Sequence, residues 1–154
     1  MNINEVADYF IAKADVESGD NITHLKLQKL LYYTQGWHLA IHGRTLFSST
    51  FEAWAHGPVS PEIYARFKSY GWDPIPTSEI VTDFSKVSSG DSEFLDEVWE
   101  VYGQFSAKKL EMMTHQESPW LEAREGLSVE ARSSKPISQR TMDTYFKSLM
   151  EESE

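Results

Sequence analysis

The sequence predicts a mainly α-helical domain of the α+β kind, with six or seven helices and a small β element. Apolar residues recur at helical spacing in several stretches, and a capping residue stands before most of them. Only residues 45–55 and 80–82 carry β-tolerant residues without that spacing. The 154 residues, 40% of them apolar, have the size of one domain, so we expect 1–154 to fold as a single unit.

Two helices are predicted at the start of the chain. Asn2 and Glu5 have the spacing of a capping box that opens the first, and Gly19 is expected to end it. Thr23 can cap the second helix and Gly43 can end it. The apolar face between them is broad, and a helix with such a face usually lies at the centre of a core.

The middle of the chain is predicted to hold the β element. One or two short strands are expected within 45–55, and His56-Gly57-Pro58 is expected to break them. Ser60-Pro61 then has the residues of a helix start, with Ser as cap and Pro at the first helical position. The segment 73–89 is rich in Pro, Ser and Thr, which predicts an irregular excursion with a short strand at 80–82.

Further helices are predicted in the second half of the chain. Their caps are expected at Asp91, Ser106, Ser118 and Ser138. The acidic residues 150–154 are expected to form a flexible tail, since chain ends without apolar anchors are usually poorly ordered.

Composition disfavours several classes of protein. A net charge of −10, from 14 basic and 24 acidic residues, disfavours direct binding of nucleic acid. No apolar run approaches the roughly 18–20 residues that span a membrane, so we expect no membrane-spanning helix. The chain has no cysteine, which excludes disulfides and Cys-based zinc sites. With no secretory signal at the N-terminus, we expect a cytoplasmic protein.

Charge is also unevenly distributed along the chain. Residues 21–51 contain no acid, whereas residues 91–125 contain nine acids against three bases. One interpretation is a buried first half beside a solvated, acidic second half. The alternative is that the acidic half faces a cationic partner.

The motifs of common enzymes and cofactor sites are absent from the sequence. It has no Gly-rich phosphate loop, no G-x-S-x-G elbow and no HExxH. His38 and His42 have a spacing that can bind a metal, but no carboxylate lies nearby. We therefore expect no metal and no cofactor.

Two groups of residues leave a catalytic alternative open. His56 is either a general base or a turn residue that bonds to backbone, and the latter is preferred. His115 and Glu117 pose the same choice, with a capping and orienting role preferred. Glu52 stands among aromatic residues and needs a partner if it is buried, which Lys29, His56 or Arg66 could supply. It is either a structural ion pair, which is preferred, or one half of an acid–base site.

The tryptophans are assigned to the core or to the surface from the residues around them in the sequence. Trp37, Trp54, Trp99 and Trp120 are expected in the core. Trp72, between Gly and Asp, is expected to be exposed, and an exposed Trp is a good anchor for a partner protein.

Three ordered blocks of residues resemble the Panacea domain family, the group of SocA-like antitoxins and phage-associated GepA-like proteins. The first is LKLQKLLYY at 25–33, followed by Gln35-Gly36-Trp37. The second joins Phe51-Glu52-Ala53-Trp54 to His56-Gly57-Pro58-Val59, and the third runs from Tyr102 to Arg124. The signature positions singled out are Lys29, Gln28, Tyr33, Glu52, Trp54, His56, Gly57, Pro58, His115 and Trp120.

The resemblance implies a helical, non-enzymatic antitoxin whose gene is paired with a toxin gene. Members neutralise unrelated toxins by direct binding, and one route in the family is to act as an adaptor that delivers the toxin to a ClpXP-type protease. The expected partner is therefore a cognate toxin protein. We expect the signature residues mainly to build the scaffold, while partner choice falls to variable surface around them.

Two other functions are kept as alternatives. One is a phage- or mobile-element-associated regulator that binds a host protein without any cognate toxin. The other is a small hydrolase that uses His56 with Glu52 or Glu117, which requires these side chains to converge in one cleft.

Overall fold

The computed structural model describes residues 1–18 and 22–152. The predicted stop at Gly19 and the last two residues of the acidic tail, Ser153 and Glu154, lie outside the described residues. The described part contains seven α-helices and one two-stranded sheet, which confirms the predicted class. The elements are α1 (Ile3–Ser18), α2 (His24–His42), β1 (Glu52–Trp54), β2 (Gly57–Val59), α3 (Pro61–Phe67), α4 (Ser89–Tyr102), α5 (Ala107–Thr114), α6 (Ser118–Ala123) and α7 (Gln139–Glu152).

Helix α2 is the centre of the fold, as its broad apolar face predicted. The Thr23 hydroxyl caps its start by accepting a hydrogen bond from the backbone N–H of Lys26 at 3.3 Å. Gly43 ends it in the left-handed conformation, with φ of 71°. Helices α1, α3, α4, α5 and α7 and strand β2 all pack against α2. Most residues of α2 are consequently buried.

Helix α7 approaches α2 closely at one glycine. A Cβ atom on Gly36 would lie 2.1 Å from a ring carbon of Phe146, so no larger residue fits there without movement of α7. The Phe146 ring meets the rings of Tyr32, Tyr33 and Trp37 edge-on, with centroids 5.3–6.0 Å apart. This aromatic contact fixes α7 on the centre of the fold.

The sheet is smaller than predicted and lies later in the chain. Strands β1 and β2 form an antiparallel hairpin in which Trp54 pairs with Gly57 and Ala53 pairs with Pro58. The expectation that His56-Gly57-Pro58 breaks the element is wrong, because Gly57 and Pro58 begin β2. Gly57 has a φ of 109°, which a glycine tolerates, and Pro58 lies in a strand that pairs on one side.

The strand predicted at 80–82 is absent. Ile80 follows a short 3-10 helix, Thr77–Glu79, and its N–H bonds back to the carbonyl of Thr77. Val81 is 62% exposed. A strand needs a neighbour for its backbone groups, and the described residues place none beside this segment.

Most predicted helix starts are confirmed, but Ser118, predicted to cap α6, is the first residue of that helix, and Glu117 holds the cap position. Asn2 and Glu5 form the predicted capping box, each side chain bonding to the other's backbone N–H. Ser88 caps α4, three residues before the predicted Asp91. At the end of the chain, α7 continues through Glu152, so the first three of the five residues expected in the tail are helical.

Candidate functional site

An open groove lies between the N-terminal half of α2, the hairpin, α3 and α5. It consists of two adjoining cavities of about 840 Å³ and about 380 Å³. Both are lined by His24, Leu25, Lys29, His56 and Tyr64. The groove therefore brings together two signature residues that are distant in sequence, Lys29 and His56.

Lys29 is buried in the wall of this groove, with 2% of the residue exposed. Its ammonium donates a hydrogen bond to the backbone carbonyl of Pro58 at 3.2 Å. A Cβ atom on Gly57 would lie 2.6 Å from Cε of Lys29, so the glycine makes room for this side chain. Burial lowers the pKa of Lys29 to about 8, although the carboxylate of Glu111 acts in the opposite direction.

Gln28 connects the hairpin to α2 through a pair of hydrogen bonds. Its side-chain carbonyl accepts from the backbone N–H of Ser60 at 2.7 Å, and its amide donates to the Ser60 carbonyl at 3.1 Å. Because both ends of the amide are engaged by buried backbone, this side chain holds the start of α3 in place.

His56 lies at the hairpin turn beside a carboxylate from α5. Its Nδ1 lies 2.6 Å from Oε1 of Glu111, and Lys108 donates to Oε2 of the same carboxylate at 3.0 Å. Burial raises the pKa of Glu111, but Lys108 and His56 outweigh it and the net shift is downward. The preferred role of His56, a hydrogen bond to backbone, is corrected: its partner is a carboxylate.

His24, the first residue of α2, forms part of the groove wall. Only 6% of the residue is exposed, and its buried Nδ1 has no hydrogen-bond partner in the described part of the chain. Burial and the charge of Lys29 lower its pKa, against a hydrogen bond that the ring donates to the backbone of Gly71. The imidazole is therefore neutral at physiological pH.

Aromatic side chains form the rim of the groove. Trp72 is 81% exposed, which confirms the expectation for this residue. Tyr64 is exposed to 36%, and its ring meets the ring of Trp54 edge-on at 4.8 Å between centroids. The groove thus combines a cationic wall with apolar, aromatic edges.

A second polar cluster lies deeper in the fold, around Glu117. Its carboxylate accepts hydrogen bonds from the hydroxyl of Tyr33 at 2.8 Å and that of Tyr32 at 3.3 Å. Tyr145 of α7 is a further hydrogen-bond partner. Burial raises the pKa of Glu117 to about 7, while the three tyrosines act to lower it.

The tyrosines of this cluster are held by further aromatic contacts. The ring of Tyr33 stacks on that of Tyr102, with centroids 4.2 Å apart and planes inclined by 11°. The Tyr102 hydroxyl accepts a hydrogen bond from the indole of Trp37 at 2.7 Å. Tyr33 therefore belongs to a buried network that connects α2, α4 and α6.

The remaining signature residues brace the hairpin. The Trp120 indole donates to the backbone carbonyl of Trp54 at 2.8 Å, and the guanidinium of Arg124 donates to that of Ala53 at 2.8 Å. The ring of His115 stacks on Trp120, with centroids 4.1 Å apart. Burial lowers the pKa of His115, against the charge of Glu111. These contacts fix β1 from the side of α6.

The partner of the Glu52 carboxylate differs from the prediction. Its carboxylate accepts a hydrogen bond from the indole of Trp54 at 2.8 Å, and none of the described residues forms an ion pair with it. Lys29 bonds to Pro58 instead, and Arg66 pairs with Asp8. The preferred interpretation of Glu52 as a structural ion pair is therefore wrong.

The side chains required by the hydrolase alternative do not pair. His56 contacts Glu111, whereas Glu52 bonds to Trp54 and Glu117 bonds to tyrosines. The convergence of His56 with Glu52 or Glu117 that this alternative needs is not observed among the described residues.

His38 and His42, the pair with metal-binding spacing, lie at the C-terminal end of α2. Nδ1 of His38 lies 2.7 Å from the carbonyl oxygen of Arg44, and the rings of His38 and His42 are 4.6 Å apart. Across residues 1–18 and 22–152, no three His, Asp or Glu side chains are grouped to hold a metal ion. None of the described helices combines the length and apolarity needed to cross a membrane.

Sequence reasoning identified part of the site and missed the rest. Lys29, His56 and Trp72 were singled out and lie at one groove. Glu111 was missed, because its contact with His56 joins positions 55 residues apart and has no local signal. Lys108, which pairs with Glu111 three residues along α5, was missed with it. His24 was also missed, since a helix-start histidine has no pattern that indicates burial.

Comparison with known proteins gives a family match across these elements. The family model described as "Antitoxin SocA-like, Panacea domain" matches residues 27–121. The curated protein Antitoxin SocA of Caulobacter vibrioides (strain NA1000 / CB15N) is 48% identical over 50 residues, which are 32% of this chain. Those residues are 27% of the relative, so the match spans about a quarter of its length. No solved structure matches.

Proposed function

The chain belongs to the family of SocA-like antitoxins with the Panacea domain, and on that premise we propose that it neutralises a cognate toxin by binding it. The observation that carries the proposal is the family match over residues 27–121. This region includes most of α2, the hairpin, α3 and α5, and therefore most of the groove wall. We propose that the protein acts in the cytoplasm and without catalysis.

The contacts of the signature residues support a binding role built on a rigid frame. Gln28, Trp120 and Arg124 use their polar groups on backbone of the hairpin or of the start of α3. Glu117 uses its carboxylate on buried tyrosines. Side chains engaged in this way position the wall of the groove, and a preformed wall lowers the entropic cost of binding a partner.

The first experiment is a growth test with the neighbouring gene. We expect the adjacent reading frame to arrest growth when expressed alone and to become harmless when co-expressed with this protein. The control is Leu30→Asp, which places a charge at a fully buried position of α2 and should abolish rescue by unfolding the protein. If no neighbouring frame is toxic, a regulator that binds a host protein replaces the antitoxin as the favoured function.

The second experiment separates direct occlusion of the toxin from delivery to a protease. We expect the antitoxin to protect cells equally with and without the ClpXP protease, with toxin levels unchanged, if binding alone neutralises the toxin. If rescue requires the protease and toxin levels fall on co-expression, the protein is a proteolytic adaptor.

A further inference from the structure

We propose that the groove binds an acidic segment of the partner protein, with one carboxylate of that segment seated on Lys29 and an apolar side chain against Trp72 and Tyr64. The identification of the partner as a toxin rests on the proposed function. The chemistry of the occupant rests on the groove itself.

Lys29 is a buried cation without a counter-ion in the described structure. An ammonium has three donors, and the carbonyl of Pro58 is its single acceptor there. The carboxylate whose charge acts on it, Glu111, is already held by His56 and Lys108. Burial of an unpaired charge is costly, so a carboxylate from outside would supply the missing partner.

The charge of the groove is opposite to that of the molecule. Its lining contains four Lys or Arg side chains but two carboxylates, whereas the chain as a whole carries −10. These residues are Lys29, Lys68, Lys108 and Arg132 against Glu111 and Glu130. A cationic groove attracts an anionic segment, whereas the acidic remainder of the protein surface repels it.

The size and the rim of the groove favour a peptide segment over a small anion. The cavities of about 840 Å³ and about 380 Å³ adjoin along Leu25, Lys29 and Tyr64, which leaves room for several side chains. Trp72 offers a large, exposed apolar face beside Lys68. Trp is the residue type most often found as a dominant contact in protein interfaces.

Peptide binding tests the groove independently of any toxin. The probes are fluorescein-labelled ten-residue peptides from a mixed pool that contain Glu beside Leu or Phe, and a matched pool with Gln in place of Glu. We expect the full-length protein to bind Glu peptides at least about tenfold more tightly than their Gln counterparts, by fluorescence anisotropy. Their affinity should fall as NaCl is raised.

Three variants assign the binding to the groove. Lys29→Met keeps the length of the side chain and should weaken Glu-peptide binding at least about tenfold, with a melting temperature no lower than that of the parent. Trp72→Ala should weaken it several-fold. Lys147→Met removes an exposed lysine of α7 that pairs with Asp143, outside the lining of the groove, and should leave binding unchanged.

The proposal is overturned if Glu and Gln peptides bind equally, or if folded Lys29→Met binds like the parent. Should Lys29→Met fail to fold, the double variant Lys68→Gln/Lys108→Gln, at two exposed positions, takes its place, and parental binding by that variant overturns the proposal. It is also overturned if sedimentation shows a dimer that Lys29→Met dissociates, because the occupant is then a second copy.

The same variants keep this inference separate from the proposed function. If Glu peptides bind but no neighbouring frame is toxic, the groove stands and the antitoxin role fails. If folded Lys29→Met still rescues growth from the toxin, the antitoxin role stands and the groove is not its contact surface.

Discussion

At the scale of single residues, Glu117 shows how burial without a cation changes a carboxyl group. Three tyrosine hydroxyls surround it, and its pKa rises to about 7 from an ordinary value of 4.5. A carboxyl group with a raised pKa in the folded state favours folding at low pH. That contribution is lost as pH rises from 4.5 through 7, because the folded protein resists the ionisation that the unfolded chain undergoes freely.

Replacement of Glu117 by Gln should therefore stabilise the protein in a pH-dependent way. We expect Glu117→Gln to raise the free energy of unfolding at pH 8 by up to about 3 kcal/mol and to change it little near pH 4.5. Urea unfolding at the two pH values measures the difference. Glu125→Gln, at an exposed position, is the matched control and should show no such dependence. An equal effect of Glu117→Gln at both pH values would contradict the prediction.

Burial of Lys29 makes stability change with pH in the opposite direction from burial of Glu117. Its pKa falls from 10.5 to about 8 on folding, so below pH 8 the folded state holds a cation that the unfolded chain accommodates better. Lys29→Met should raise the free energy of unfolding at pH 7 by up to about 3 kcal/mol, less roughly 1 for the lost bond to Pro58. The gain should shrink as pH rises from 8 to 10.5. Urea unfolding at pH 7 and pH 10 tests this, and a destabilised variant at pH 7 would refute it.

At the scale of elements, the contact of α2 with α7 depends on the missing side chain of Gly36. Gly36→Ala should lower the free energy of unfolding by about 1–3 kcal/mol, because its Cβ would overlap the ring of Phe146. Gly90→Ala is the matched control: it lies in α4, where a Cβ meets nothing, and should stabilise by up to about 1 kcal/mol. Chemical denaturation measures the free energy of unfolding of both variants. A more stable Gly36→Ala variant would contradict the prediction, because α7 would then move aside without cost.

The same elements show what the sequence could predict. Helix α2 was located at both ends, because Thr23 and Gly43 act through bonds within a few residues. The hairpin was misjudged, since its pairing depends on Lys29, Trp120 and Arg124 rather than on β-propensity in Gly57-Pro58. The groove was predictable only in part: residue types indicated His56 and Trp72, whereas the burial of Lys29 is a property of the assembled fold.

At the scale of the whole molecule, one helix connects the groove with the buried tyrosine cluster. Lys29 and Tyr33 are one turn apart on α2, and the first lines the groove while the second binds Glu117. Both sites therefore depend on the position of the same helix. Most of the described fold is therefore coupled to α2, since five other helices and β2 pack on it.

This arrangement predicts unfolding in a single cooperative step. Far-UV circular dichroism reports all seven helices, and tryptophan fluorescence reports positions in α2, α4 and α6 and at the hairpin and groove rim. We expect the two signals to coincide along a urea titration. Leu30→Ala, at a fully buried position of α2, should shift both midpoints together, with a loss of about 2–5 kcal/mol. If fluorescence changes before the helical signal, the groove and the core are separate folding units, and stability measured on one would not report the other.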